Sequence, residues 1–568
     1  MKAIGLVLPI SIYLLGACSD GGFQDAVAVP DIGQASDVDL RTTKLQNPLA
    51  YIPSQCFTKT EDKAGRVHNP CYSCHIASEE PNYLEDQDLQ TSYDFPGLEG
   101  NVLINPWSNL FKDRTATMTA LSEQAIFDWI RADNYLNNGI PILATSLSGQ
   151  LNPKWDVDGN GRWGGYVPDA YFRFDSEGFD RTPNDAYSGW RAFAYTPFLG
   201  TFWPTNGSTD DVLIRLPSTF QNNGKGEFDL LTYKINLAIV SALIQRRDVP
   251  LPNPVDEATW QVDLDKDGHI GMATFIRYDW APLAGRQMSY VGQARIEQMA
   301  GRLHLAAGLY PEDTEFLHSV RYLDIGADNA IKMAAHLKEL RYAKKVSWYT
   351  YSDLKEMALK EIREKNINPE RTRSFTGNAE IGVANGQGWT FQGFIEDKNG
   401  ALRPQSYEET VSCMGCHSGI GATTDSTFAF PRKLYETAFQ QGWYHWGQKP
   451  LLGMKEPRRR DGEYEYSYYL KQNGAGDEFR ENTEVMAKFF NPDGSINTDK
   501  LSDLHLDVTT LILPSRQRAM SLNRAYMSIV KEQSFALGRD PVMAPVENVH
   551  KEIRIGSSTK IRNPLTGP

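Results

Sequence analysis

The pattern Cys-x-x-Cys-His occurs twice in this chain, as Cys71-Tyr72-Ser73-Cys74-His75 and Cys413-Met414-Gly415-Cys416-His417, about 340 residues apart, and this spacing reads as c-type haem attachment. Two thiols three positions apart can add to the two vinyl groups of one haem. The adjacent imidazole then lies under the iron as proximal ligand. Neither Cys nor His can be moved by one position. The competing readings are a thioredoxin-like pair or a zinc clamp, but a zinc site gathers four thiolate or imidazole ligands close together in sequence. Each motif here stands alone. The expected cofactors are therefore two covalently bound haem c groups, held by Cys71, Cys74 and His75 and by Cys413, Cys416 and His417, with His75 and His417 as iron ligands.

The first residues read as an export signal. Lys2 gives a short basic start, and Ala3 to Leu15 is apolar apart from Ser11 and Tyr13, a run too short to span a bilayer. Leu15-Gly16-Ala17-Cys18 resembles the lipobox of bacterial lipoproteins. The resemblance implies a signal peptide over 1–17, cleavage before Cys18 and acylation of that thiol, so that a lipid tethers an otherwise soluble chain to the membrane. It also implies, from Ser19, an address at the outer membrane facing periplasm or exterior. Covalent haem attachment in bacteria likewise takes place outside the cytoplasm. Of the six cysteines, Cys56 is left without an assigned role. It reads either as a small buried hydrophobe or as a group that approaches the first haem.

With 568 residues, 41% hydrophobic and 11% aromatic, the chain can bury a substantial core. A net charge of −13 argues against nucleic acid as a partner. The one tight basic cluster, Arg458-Arg459-Arg460, reads as a solvated loop. Expected partners are a redox protein or a small electron donor or acceptor. The expected fold is α+β, with mainly helical, cytochrome c-like haem regions flanking a mixed, haem-free middle domain. A flexible tether (18–47) leads to a first haem region (48–132), the middle domain (133–375), a second haem region (376–540) and an extended tail (541–568). Helices are expected near 121–135, 230–245, 287–307, 327–344 and 515–535, and strands near 211–216, 274–278 and 388–396.

Two acidic loops stand in the middle region. Asp263, Asp265 and Asp267 followed by Gly268 match the start of an EF-hand calcium loop, and Asp156, Asp158 and Asn160 followed by Gly161 match over a shorter span. Where the twelfth-position Glu belongs, Thr274 and Val167 stand instead, so a further carboxylate must come from elsewhere, with Asp279 and Asp169 as candidates. Plain Asp-Gly turns are the alternative.

What each iron does depends on its sixth ligand. His445, in the aromatic run Trp443-Tyr444-His445-Trp446, is the candidate distal ligand of the second haem, while His68 and Met118 compete for the first. His318 and Tyr322 are read onto one face of a helix that either enters a haem pocket or meets water. Two haem motifs on one exported chain resemble the dihaem cytochrome c peroxidase superfamily, which includes rubber oxygenases. The likeness rests on the ten motif residues and implies no catalytic residue here. Two readings follow: an electron-transfer protein with both irons six-coordinate, or a dihaem redox enzyme, peroxidase- or oxygenase-like, with one haem open.

Overall fold

The computed structural model describes residues 38–76, 81, 90–97, 100–193, 197–200, 202–427, 443–459 and 461–564; the lipidation site expected at Cys18 lies outside them. The organising element is an antiparallel sheet. Its strands are β1 (Phe179–Arg181), β2 (Tyr187–Phe193), β3 (Thr209–Arg215), β4 (Glu315–Ile325), β5 (Ile331–Lys345), β6 (Gly377–Asn378), β7 (Gly382–Ala384), β8 (Trp389–Glu396) and β9 (Leu402–Pro404). They lie in the order β6-β7-β8-β5-β4-β3-β2-β1, with β9 paired to β8. The fold is α+β. The sheet runs through the boundary expected near residue 375, because β5 of the middle region pairs with β8 over Glu339↔Ile395 to Lys345↔Trp389.

β4 and β5 replace the helices expected near 315–323 and 327–344. The segment His336-Leu337-Lys338-Glu339-Leu340 is rich in good helix formers, yet it sits centrally in the sheet with ladders on both sides. Gly326 N bonds Ala330 O at 2.9 Å, and Asn329 takes φ 61°, so a tight turn closes the hairpin. Tertiary pairing overrides a weak local preference.

The two sheet faces differ in chemistry. On one face Leu213, Leu317, Leu340 and Phe394, all fully buried, pack with Trp190, Leu143 and Trp155 into a core. The other face carries Asp210 and Val212, Phe316, His318 and Val320, and Glu339, Arg341 and Ala343, and it faces a cavity. Strand alternation sets this division: His318 pairs with Val212 on one side and Arg341 on the other, and Val320 pairs with Asp210 and Glu339.

Helices brace this sheet. α1 (Glu123–Arg131) is capped by Ser122, whose Oγ accepts from Ala125 N at 3.2 Å. It buries Ile126, Trp129 and Ile130 to 2% exposure or less against Tyr322 and Leu323. Each of those side chains stabilises the fold by about 1.5–3 kcal/mol. α2 (Leu230–Gln245) is apolar on all sides and lies in the largest core, its N-terminus capped by Asp229. α3 (Gly292–Met299) is shorter than the 287–307 stretch expected. α4 (Tyr351–Ile367) starts at a Thr350/Asp353 capping box. α5 (Arg516–Glu532) packs Tyr526, Met527 and Ile529 beside α1. The tail is pinned, not merely wrapped on the surface: Glu552–Arg554 pairs with Val102–Ile104, and Ser557–Ser558 pairs with Ser92–Tyr93.

Candidate functional site

Both motifs fold into the same turn. Pro70–Ser73 and Ser412–Gly415 are single 3-10 turns. In the first, Cys74 N and His75 N both bond Cys71 O, at 3.1 and 2.9 Å; in the second, Cys416 N and His417 N bond Cys413 O at 3.1 and 3.0 Å. Each motif histidine also accepts a side-chain amide at its carbonyl, from Gln90 Nε2 at His75 and from Asn385 Nδ2 at His417, the latter at 2.9 Å. Both turns are short 3-10 segments.

Sequence distance disappears in the fold. All six motif residues line one cavity of about 590 Å³, floored by the polar face of the sheet and covered by segments around residues 53–56, 477–481 and 539–546. The segment that follows the second motif touches the first through backbone: Ala422 N donates to Cys74 O at 3.0 Å. Gly421 lies so close to the first motif that a Cβ there would stand 1.7 Å from Ile76 O, and one on Gly415 would meet Pro53 Cδ at 2.5 Å. Glycine is required at both points by the close approach of two segments.

Burial dominates the electrostatics of these groups. It pushes the thiols of Cys71 and Cys416 up to about 12, and those of Cys74 and Cys413 upward as well, Cys74 also feeling Cys416 and Cys56. Burial, with Arg341 and His318 nearby, pushes His417 down to about 3. Its imidazole is therefore held neutral, the form that coordinates a metal.

The arrangement discriminates between cofactors. Among the described residues, the groups close enough to hold a bare ion are Asp156, Asp158 and Glu380, and Glu257, Asp263 and Asp265; the motif thiols and imidazoles are not among them. They are spread along a cavity wall instead. A four-ligand zinc clamp would need them gathered within such a distance.

The other expected residues divide between cavity and core. His445 lies outside the cavity wall, packed on Phe174 at 4.7 Å between ring centroids, with Nε2 3.2 Å from Asp211. Burial, with Arg321 adding, pushes His445 down to about 3, while burial raises Asp211 to about 7. His68 pairs with Asp62 at 3.1 Å, and Met118 is fully buried; neither lines the cavity. His318 does, from a strand and not from a helix, and Cys56 lines it too.

Each acidic loop gains its missing carboxylate from a residue outside the loop, but not from the ones expected. Asp156 and Asp158 meet Glu380, and Asp263 and Asp265 meet Glu257, with one oxygen of each group within 4.8 Å of the others. Both glutamates are 1% exposed. Asp169 is held instead by Arg215 at 2.6 Å, and Asp279 by Arg286 at 2.8 Å. Asn160 and Asp267 stay outside the carboxylate groups and hold their loops through backbone bonds to Arg162 N and His269 N.

Reading along the chain missed Arg341, Arg539, Glu339, Lys338 and Asp210 on the cavity wall. The signal was the alternation Glu339-Leu340-Arg341-Tyr342, masked by helical composition around it, while Phe316 to Val320 carries no such alternation.

A lipoprotein family profile matches residues 40–507, a span that includes both motifs and both acidic loops. An uncharacterized lipoprotein of Aquifex aeolicus (strain VF5) is 31% identical over an alignment covering 95% of this chain and 93% of its own length. No solved structure matches significantly. Among the described residues no helix is long and apolar enough to cross a membrane.

Proposed function

We propose that this chain, which belongs to that lipoprotein family, is a dihaem c-type cytochrome of the cell envelope whose two haems exchange electrons inside one cavity. The observation that carries this is the convergence of both Cys-x-x-Cys-His turns on a single cavity wall, with the segment just after the second turn bonded to Cys74 O. Haem, when attached, supplies one-electron chemistry at iron. The chain's own part is to bind, orient and exclude water. Cys71, Cys74, Cys413 and Cys416 would hold the groups, and His75 and His417 would ligate them. Gln90 and Asn385 fix the peptide next to each imidazole. Phe391 packs 4.6 Å from the His417 ring and keeps that side dry.

Calcium is the second expected cofactor. The two carboxylate groups, each joining a loop to a buried glutamate, support it as a structural ion that closes loops onto the fold. The lipid anchor places the protein at a membrane surface, and the outer membrane is the finer address proposed from Ser19.

The test is haem stoichiometry. Denaturing gels stained for haem, with intact mass, should give two covalent haems per chain. Cys71→Ala with Cys74→Ala should leave one, and Cys413→Ala with Cys416→Ala should leave the other. A mass equal to that of the bare polypeptide overturns the reading. Independently, Cys18→Ala should move the protein from the membrane to the soluble fraction.

A further inference from the structure

The cavity wall beside the second motif carries a proton-bearing and a cationic group that attachment does not need. His318 on β4 is, among the described residues, the one histidine of the wall besides His75 and His417. Its Nε2 is 3.1 Å from Asp210 Oδ2 on the neighbouring strand, and the Asp210 side chain is only 6% exposed. A ring nitrogen engaged with a carboxylate is a proton carrier; it does not offer that lone pair to a metal. Arg341 stands opposite His318 in the β4–β5 register. The ring of Phe202 lies 6.1 Å from that of His318 and 5.8 Å from the Arg341 guanidinium, so it flanks both.

Two guanidinium groups meet a single carboxylate here, while Asp210 is engaged by His318. Glu339 is bonded by Arg341 Nε at 2.8 Å and by Arg539 Nη1 at 2.9 Å, so one carboxylate is shared between two guanidinium groups. Those two cations hold Glu339 low, at about 2, despite its burial. Both arginines also lie near Cys413, and Arg341 and His318 both act on His417. All of these groups therefore sit on the second motif's side. Around the first motif stand Tyr93 and the Glu478 carboxylate, which Ser73 Oγ meets at 3.5 Å; Arg480, which also acts on Cys71, does not line the cavity.

We propose that the second motif's side of the cavity is an exchangeable binding site for a small anion, recognised by the His318–Asp210 pair and by Arg341, and that the first motif's side is not. The inference rests on the dihaem reading and makes the second haem the one an added anion would reach. His318 donates or accepts a hydrogen bond at the anion's far atom, and Arg341 supplies a charge-assisted one. The anion would meet this pair without displacing Asp210, which keeps the ring oriented.

The experiment is a sodium azide titration of the purified oxidised protein, followed by visible and electron paramagnetic resonance spectra, with covalent haem counted on the same sample. Azide should perturb one haem of the two, and that haem should vanish in the Cys413→Ala/Cys416→Ala protein. His318→Ala and Arg341→Gln should each weaken azide by roughly tenfold or more, since each removes a hydrogen bond to a charged ligand. Arg341→Lys should restore part of the loss, which a purely structural role would not. Asp210→Asn serves as the milder variant if His318→Ala fails to fold, and it should weaken azide while leaving two haems. Azide bound equally well by wild type and His318→Ala overturns the proposal, as does binding at the first haem. Binding that appears only once His318 is removed makes His318 an iron ligand and likewise overturns it, with two haems still counted. A chain without covalent haem overturns this inference and the dihaem reading together.

Discussion

The first and second Cys-x-x-Cys-His turns have nearly the same backbone and very different surroundings. Each is a single 3-10 turn whose histidine carbonyl is held by a side-chain amide. Around the first, the tail and an aromatic wall close in, with Tyr93 buried and Phe95 packed on Phe57 at 5.0 Å. Around the second, the sheet presents Arg341, Glu339, His318 and Lys338. The difference teaches that the turn is a local property of five residues, whereas its surroundings belong to a wall assembled from distant strands and loops.

The largest expected effect comes from breaking the junction that lets the two turns share one cavity. Gly421→Ala would place a Cβ 1.7 Å from Ile76 O, a backbone atom that cannot swing aside. It should cost about 3 kcal/mol or more in urea unfolding. It should also disturb the spectra of both haems. Gly224→Ala, where a Cβ meets nothing within 4 Å, is the control and should be close to neutral. If the two substitutions behave alike, the motifs are not in contact in solution.

The next effect separates the two sides through calcium. Glu380 lies between β6 and β7, and Asn385 just beyond β7 holds His417 O at 2.9 Å, so the Asp156 loop is tied to the second motif. The Asp263 loop is tied to Glu257 and reaches neither motif. Chelation should lower Tm, since calcium at a hundred times Kd stabilises by about 2.7 kcal/mol. Glu380→Gln should remove part of that shift and alter the second haem's spectrum. Glu257→Gln should remove the other part and leave both spectra unchanged. A Tm indifferent to chelator would reduce both loops to plain turns.

A smaller effect distinguishes the walls by pH. Burial lowers Lys338 from 10.5 to about 7, with Glu396 and Glu339 opposing. The unfolded chain binds more protons than the folded one between about pH 7 and 10.5, so stability should rise with pH across that window and the cost is fully present below it. Each pH unit there contributes at most about 1.4 kcal/mol. Lys338→Met should flatten the rise, as read from urea midpoints at pH 7 and pH 9. A rise that survives in Lys338→Met would assign it to other groups.

The smallest effect compares the two amides. Gln90→Ala and Asn385→Ala each remove one hydrogen bond to a motif histidine carbonyl and should cost about 1 kcal/mol apiece. Each should perturb only its own haem's spectrum. Cross-talk between them would mean that the two walls are mechanically coupled.

Much of the architecture was readable along the chain. The helix at Leu230–Gln245 follows from its continuous apolar run, and Trp389–Glu396 reads as a strand from its aromatic and β-branched residues. β4 and β5 were not readable as strands, because Ala, Lys, Leu and Glu favour helix locally while the ladders that decide the matter come from residues 209–215 and 389–396. His445 looked like a cavity residue because aromatic neighbours accompany both haem pockets and ordinary cores. Its pairing with Asp211 puts it in a core. The acidic loops were legible as far as their first carboxylates, but the glutamates that complete them stand 224 residues after Asp156 and 6 residues before Asp263, positions no loop pattern contains.

By itself the sequence determined the two Cys-x-x-Cys-His motifs, the lipoprotein character and the α+β class, because each of these depends on spacing or composition within a short stretch. Only the tertiary structure decided that the two turns share a cavity, which of their walls is charged, and which glutamates meet the acidic loops. Those outcomes depend on strand register, where a shift of one residue turns every side chain to the opposite face, and register is set by pairing between segments that lie hundreds of residues apart.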